Sequence, residues 1–223
     1  MKKDWEALRF SSDPPQTPFA PVWDYTIAEK QINIDLEELK NIILQKEIEI
    51  LESFPPDSDG NTGLGPNSLT SRFKYFNLLK WDYPVVKQLH KEIKYLHSQY
   101  CKHLFGLAYR TPRLRIRCWA NVLRKNQKIK QHYHSIHPNT YLGGHLTVCS
   151  SETSTVYVNP YAGKTANGEY FSKNVPGKLT LFPNYLPHWT TQHTGDEPRI
   201  TIAFDITTLE QIFVEDKELL LDL

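Results

Sequence analysis

The sequence predicts a mainly β fold with helices, an antiparallel barrel or two-sheet sandwich preceded by a helical layer. Two observations carry this. From Pro112 onward apolar and polar residues alternate in short runs bounded by Gly, Pro and Asn, the pattern of strands with two different faces. Before Pro112 the apolar spacing is helical, and nowhere does a strand–helix–strand rhythm or a Gly-rich phosphate loop occur, which argues against a nucleotide-binding α/β fold.

The chain has 223 residues and a net charge of +1, with a pI of about 7.7, so nothing in its charge marks a nucleic-acid or membrane-surface partner. No apolar run approaches a membrane span, and the N-terminus lacks the apolar stretch of a secretory signal. Three cysteines, Cys101, Cys118 and Cys149, form no C-x-x-C pair, which fits thiols packed as small hydrophobes in a reducing cytoplasm. A soluble cytoplasmic protein is expected.

Residues 1–30, with Pro14, Pro15, Pro18 and Pro21, read as an extended arm lying across a surface, with a short strand around Trp23–Ile27. Asp35-Leu-Glu-Glu38 is a capping-box pattern. The stripe Leu36, Leu39, Ile42, Ile43 and Leu51 then predicts a helix to about Glu49. The turn-rich loop 55–67 is either a lid or substrate-contacting segment, or disordered. A second helix starts near Asp82 with Pro84 in its first turn and carries Val86, Leu89, Ile93, Leu96 and Tyr100. Its His90, His97 and His103 are assigned to the helix surface or edge and not to a metal.

Residues 1–111 are thus an arm and supporting helices in the same domain as a β core at 112–223. The basic run from Arg110 to Lys130 reads as a solvated strand face and turn, or as a contact for a polyanionic substrate. Strands are expected over 113–122, 145–149, 155–159, around Leu179–Leu181, and from Arg199 to Asp205. Each has one apolar face and one mixed face carrying His, Thr, Asn, Tyr or Arg. Physically this suits a double-stranded β-helix, a cupin-like jelly roll: the helices pack on the larger sheet, and the mixed faces line a central cavity.

The cluster His132-Tyr-His134-Ser-Ile-His137, with His188 in Phe182-Pro-Asn-Tyr-Leu-Pro-His188, offers the neutral nitrogen donors that a borderline metal cation needs. In Arg199-Ile-Thr-Ile-Ala-Phe-Asp205, strict alternation puts Arg199, Thr201, Ala203 and Asp205 on one face. Arg199 beside the Thr201 hydroxyl forms a fork able to hold the carboxylate of an acid cosubstrate.

Together with Trp119-Ala-Asn-Val-Leu-Arg-Lys, Tyr141-Leu-Gly-Gly-His-Leu-Thr-Val148 and Gly177-Lys-Leu-Thr-Leu-Phe-Pro, these segments resemble the Fe(II)/2-oxoglutarate-dependent oxygenases, in particular their poorly characterised bacterial and phage branch. The likeness runs over roughly residues 113–206. It implies the cofactors Fe(II) and 2-oxoglutarate, O2 as co-reactant, and hydroxylase-type oxidation of an unidentified substrate with release of succinate and CO2. It implies His188 as the distal iron ligand and Arg199, assisted by Thr201, as the anchor of the remote carboxylate of 2-oxoglutarate. His132 and His134 are the expected proximal pair, with His137 the alternative, because His137-Pro-Asn-Thr-Tyr-Leu-Gly-Gly also matches the family pattern. Asn121, on the mixed face, is either a hydrogen-bond partner of 2-oxoglutarate or a ligand, or a structural amide. His145 is a candidate supporting donor, with a metal-ligand role as the alternative, and the 159–168 loop a candidate closure over the cavity.

The sequence departs from the family at one point. The usual proximal pair contains an Asp or Glu, yet no acidic residue occurs between Arg124 and Ser151. An all-histidine triad leaves the centre one negative charge short. A cupin-type metalloenzyme or zinc hydrolase without 2-oxoglutarate explains the histidines but not the Arg199 fork, and a non-catalytic binding module explains neither.

Overall fold

The computed structural model describes residues 4–150, 152–159, 168–208 and 218–223. The elements in chain order are β1 (Glu6–Ser11), β2 (Asp24–Gln31), α1 (Leu36–Ser53), α2 (Pro84–Phe105), β3 (Leu114–Leu123), β4 (Leu142–Cys149), β5 (Ser154–Val158), β6 (Glu169–Lys173), β7 (Lys178–Pro183), β8 (His188–Thr190), β9 (Arg199–Thr208) and β10 (Leu221–Asp222). They form a seven-stranded antiparallel sheet, ordered β1-β2-β7-β4-β9-β3-β10, and a three-stranded sheet, ordered β6-β5-β8. This is the double-stranded β-helix expected from the alternating strands.

Register explains the two faces. Directly opposed residues in an antiparallel ladder share a face. Asn121, Thr201 and Thr147 therefore form one inward row across β3, β9 and β4, and Trp119, Ala203, His145 and Thr180 form the next, ending on β7. The alternate rows, Ala120–Ile202–Leu146–Leu179 and Cys118–Phe204–Gly144–Leu181, face the other way. There they join the main apolar core with Leu39, Ile42 and Ile43 of α1 and Val86, Leu89 and Ile93 of α2. A smaller core of Tyr25, Ile27, Tyr157, Phe182 and Leu186 lies between the sheets.

Both helices begin where the sequence indicates. Asp35 caps α1, its carboxylate accepting from the Glu38 N–H at 2.9 Å. Pro84 opens α2, where its missing N–H would have had no helical partner. α1 extends four residues beyond the expected end, to Ser53, because Ile50 is buried in the core and holds the last turn.

The N-terminal segment differs from the extended arm. β1 and β2 pair residue for residue, from Glu6↔Glu29 to Ser11↔Asp24, and β2 continues the large sheet alongside β7. All four prolines fall in the connection between these strands, where no ladder N–H is lost. β6, β8 and β10 were not anticipated. β6 is an edge strand with exposed Glu169, Phe171 and Lys173, while β8 and β10 are too short to show a period. The 159–168 loop lies, between its two ends, outside the described residues.

His97 corrects the surface assignment. It is buried on the inner stripe of α2, with Nε2 3.0 Å from the Tyr141 hydroxyl and 3.4 Å from Cys101 Sγ. Its i+4 spacing from Ile93 carries it inward with the apolar residues. In the basic run, Arg115 pairs with Asp222, Arg124 with Glu47 and Lys125 with Asp196, as a solvated face would.

Two stability predictions follow from the packing. Burial pushes the His97 pKa down to about 4 from an ordinary 6.5. The neutral ring is the native form, so its contribution is complete above pH 6.5 and lost as pH falls toward 4. By urea unfolding, His97→Gln should lose about 2 kcal/mol less stability than the parent between pH 7 and 4.5; parallel pH profiles would refute the assignment. A Cβ at Gly144 would lie 2.3 Å from the Phe204 ring and 2.4 Å from the Thr180 carbonyl oxygen. Gly144→Ala should therefore destabilise the fold by roughly 1–3 kcal/mol, again read by urea unfolding.

Candidate metal centre

The cavity between the sheets has a volume of about 210 Å³ and is lined by His132, His134, His188, Arg199, Thr201 and Asn121, among others. All six predicted site residues outside the alternative His137 therefore meet in one place. His132, His134 and His188 each offer a ligand atom, and these atoms lie within 4.8 Å of one another. The ring centroids of His132 and His188 are 4.4 Å apart, and those of His134 and His188 5.1 Å.

Backbone pairing builds this group. His132 and His188 form an antiparallel bridge, with N–H···O distances of 3.0 and 2.9 Å, so a loop residue is tied to the first residue of β8. The His134 N–H donates to the Asn184 carbonyl at 2.9 Å, and the Asn184 N–H to the Tyr141 carbonyl at 3.1 Å. A Cβ at Gly143 would lie 2.3 Å from Asn184 Oδ1 and 3.1 Å from His134 Nδ1, so only glycine leaves room for the ring and the amide together.

Each ring is also held by its outer nitrogen. His132 Nδ1 donates to the Lys130 carbonyl at 2.9 Å and His188 Nδ1 to the Leu186 carbonyl at 3.0 Å. His134 Nδ1 lies 2.5 Å from Asp205 Oδ1. With Nδ1 engaged on all three, the free lone pairs are on Nε2, the tautomer a metal ligand needs. Burial, reinforced by the neighbouring His134, pushes the His132 pKa down to about 4. Burial, with His132 and His134 beside it, holds His188 well below its ordinary value. Neutral imidazole is the form that binds metal.

His137 stands apart from this group. It is exposed, and its Nδ1 accepts from the Asn139 N–H at 3.4 Å. His145 is on the cavity wall but outside the three-histidine group. Its Nε2 meets the Tyr157 hydroxyl at 2.9 Å, while its buried Nδ1 finds no partner among the described residues.

Arg199 is 1% exposed, and its Nε and Nη1 meet no acceptor among the described residues. With the Asn174 amide turned to satisfy both its ends, Arg199 Nη2 donates to it at 3.1 Å and the amide nitrogen donates to Thr155 at 2.9 Å. Burial brings the guanidinium pKa down to about 10. A buried, largely unpaired cation is unfavourable unless an anion joins it, so this end of the cavity suits a carboxylate. Asn121 and Thr201 are opposed in the β3–β9 ladder, and the Thr70 hydroxyl donates to Asn121 Oδ1 at 2.7 Å. The donor set thus fits both a metal cation and a carboxylate-bearing cosubstrate.

Sequence reasoning missed two contributors. Asp205 was placed on the right face, but its pairing with His134 depends on long-range register. Asn184 was read only as part of a turn motif. Loop 55–67, for which the sequence offers a lid or substrate-contacting role as one alternative, reaches the cavity through Asp59, Gly60 and Thr62, and the Thr62 carbonyl accepts from the Lys130 N–H at 2.8 Å.

Residues 117–205 match the family described as "Putative 2OG-Fe(II) oxygenase". No curated protein matches the chain. Among solved structures, it resembles a prolyl-4-hydroxylase from Pseudomonas putida at 11% identity and a TM-score of 0.53, covering 82% of this chain and 92% of that one. It resembles AviO1 from Streptomyces viridochromogenes at 12% identity and a TM-score of 0.52, covering 82% and 90%. It also resembles the epimerase SnoN from nogalamycin biosynthesis, solved with Fe3+, alpha ketoglutarate and nogalamycin RO, at 12% identity and a TM-score of 0.51, covering 82% and 78%. These likenesses establish the shared fold, and the family match falls on the strands that carry the cavity. The match covers residues 117–205, the β core that carries the cavity, and makes this part of the chain similar to the 2-oxoglutarate/Fe(II)-dependent oxygenases.

Proposed function

We propose that this protein is an Fe(II)- and 2-oxoglutarate-dependent dioxygenase that carries out hydroxylase-type oxidation of a substrate, converting 2-oxoglutarate to succinate and CO2. In this reading His132, His134 and His188 hold the iron through Nε2. Arg199 binds the remote carboxylate of 2-oxoglutarate, with Thr201 and Asn121 completing the polar wall. The observation that carries the reading is the buried Arg199, with two unpartnered nitrogens in the same cavity as three converging imidazoles. A zinc hydrolase or simple cupin would account for the imidazoles and leave that guanidinium without a purpose.

Iron with 2-oxoglutarate and O2 supplies the oxidising chemistry when bound. The chain supplies position and dryness. Arg199 orients the dicarboxylate by a charge-assisted contact, and the Thr201 hydroxyl offers a hydrogen bond from two residues along the same strand. Asn121, its oxygen held by Thr70, lines the same cavity and keeps its amide N–H donors for a ligand. Phe182, Trp119 and Ile129 form apolar walls that limit water near the reacting groups. Loop 55–67 serves as a substrate-contacting wall, supported by Asp59, Gly60 and Thr62 on the cavity lining. A cytoplasmic location belongs to the same proposal; Cys101, Cys118 and Cys149 are all free thiols, and no helix among the described residues is long and apolar enough to cross a membrane.

The test is anaerobic titration of metal-stripped protein with Fe(II) and then 2-oxoglutarate, following the visible charge-transfer band of keto-acid chelation. The parent should develop the band, and His188→Ala should lose metal and band together. Arg199→Ala should keep the metal but weaken 2-oxoglutarate binding by about 30-fold or more, the usual consequence of truncating one member of a buried charge pair. His137→Ala should match the parent. Metal binding without a band in the parent would favour the cupin or zinc reading.

A further inference from the structure

Resting on this reading of the site, we propose that Asp205 is a positioning residue for the metal: its carboxylate holds His134 and supplies, from behind that ring, the negative charge that an all-histidine ligand set lacks.

The geometry distinguishes His134 from the other two rings. His132 and His188 each donate Nδ1–H to a neutral backbone carbonyl. His134 alone among the three meets a side-chain carboxylate, at the short distance of 2.5 Å. Such a contact fixes the ring with Nε2 toward the cavity and makes that nitrogen a stronger donor to a cation. Asp205 lines the cavity but is not among the converging ligand atoms, so it acts through His134 and not as a ligand.

The contact is built by the fold. Asp205 is opposed by Gly143 on β4 and by Arg117 on β3, so β9 is paired on both sides at this residue. Because Gly143 has no side chain, the His134 ring can lie over β4 and reach the carboxylate beyond it. The His134 side chain is 8% exposed and that of Asp205 29%, which leaves the contact largely shielded from competing water. This carboxylate and the three neutral imidazoles together carry one negative charge. That equals the charge of the two-histidine, one-carboxylate set that the sequence lacks. The acidic residue missing between Arg124 and Ser151 is thus replaced from a strand more than fifty residues later in the chain.

The full-length chain, stripped of metal, is titrated anaerobically with Fe(II) and with Co(II), and 2-oxoglutarate is then added to the Fe(II) form. Asp205→Asn keeps the shape and an acceptor oxygen but removes the charge. It should weaken metal binding by about 10- to 100-fold and move the charge-transfer band to shorter wavelength, because a less electron-rich metal gives up charge less readily. Asp205→Glu should restore part of both effects, and it keeps the test available if the Asn variant folds poorly. A purely structural role would lower the melting temperature without moving the band. Asp205→Asn with parental affinity and an unshifted band, while His188→Ala binds no metal, would overturn the role of Asp205 and leave the three-histidine site standing. Parental metal affinity in His188→Ala would overturn both.

Discussion

The hydrogen-bonded ladder that fixes β9 between β3 and β4 is the constraint on which the cavity depends. β9 is paired with β3 along all ten of its residues and with β4 along most of them. A strand held on both edges cannot rotate or slip without breaking two ladders, so its inward side chains have little freedom of placement. Arg199, Thr201, Ala203 and Asp205 occupy alternate positions on that strand. At about 3.3 Å per residue, the guanidinium and the carboxylate leave the backbone roughly 20 Å apart. The strand acts as a ruler, with a cation at one end for an acid and an acid at the other for a histidine.

The unsatisfied polar atoms follow the same logic. Buried polar groups in folded proteins nearly always find partners. Here Thr147 Oγ1, Thr180 Oγ1, His145 Nδ1 and two nitrogens of Arg199 have none among the described residues. All five belong to the inward face of the large sheet. The apolar work is done by α1 and α2 against the outer rows, which frees the inner rows to carry groups that wait for a ligand.

Much of this was legible along the chain. Alternation in Arg199–Asp205 put four cavity residues on one face before any partner strand was known, and the capping residue Asp35 and the proline of α2 marked both helix starts. The density of imidazoles indicated a metal and pointed to His132 and His134, with His137 as the alternative. What the sequence could not reveal was contact between distant segments. Nothing local shows that Gly143 faces Asp205, that Asn184 supports His134, or that His97 turns inward to meet Tyr141. Those facts depend on which strand lies beside which, and periodicity carries no information about register. The N-terminal strands were obscured for a different reason: a proline-rich connection dominates the composition of the segment and hides the two paired stretches on either side of it.

The bridge between His132 and His188 has a mechanical meaning. His188 belongs to the small sheet, His132 and His134 hang from the long connection that leaves the large one, and Asp205 is on the large sheet itself. A cation gripping the three rings would be a rivet through the seam of the sandwich, fastening with coordination bonds a rim that two backbone hydrogen bonds close. Separation of the sheets at that rim and escape of the ion would then be a single event, so the tightness of the protein's grip on its metal and the rate at which its walls come apart would rise and fall together.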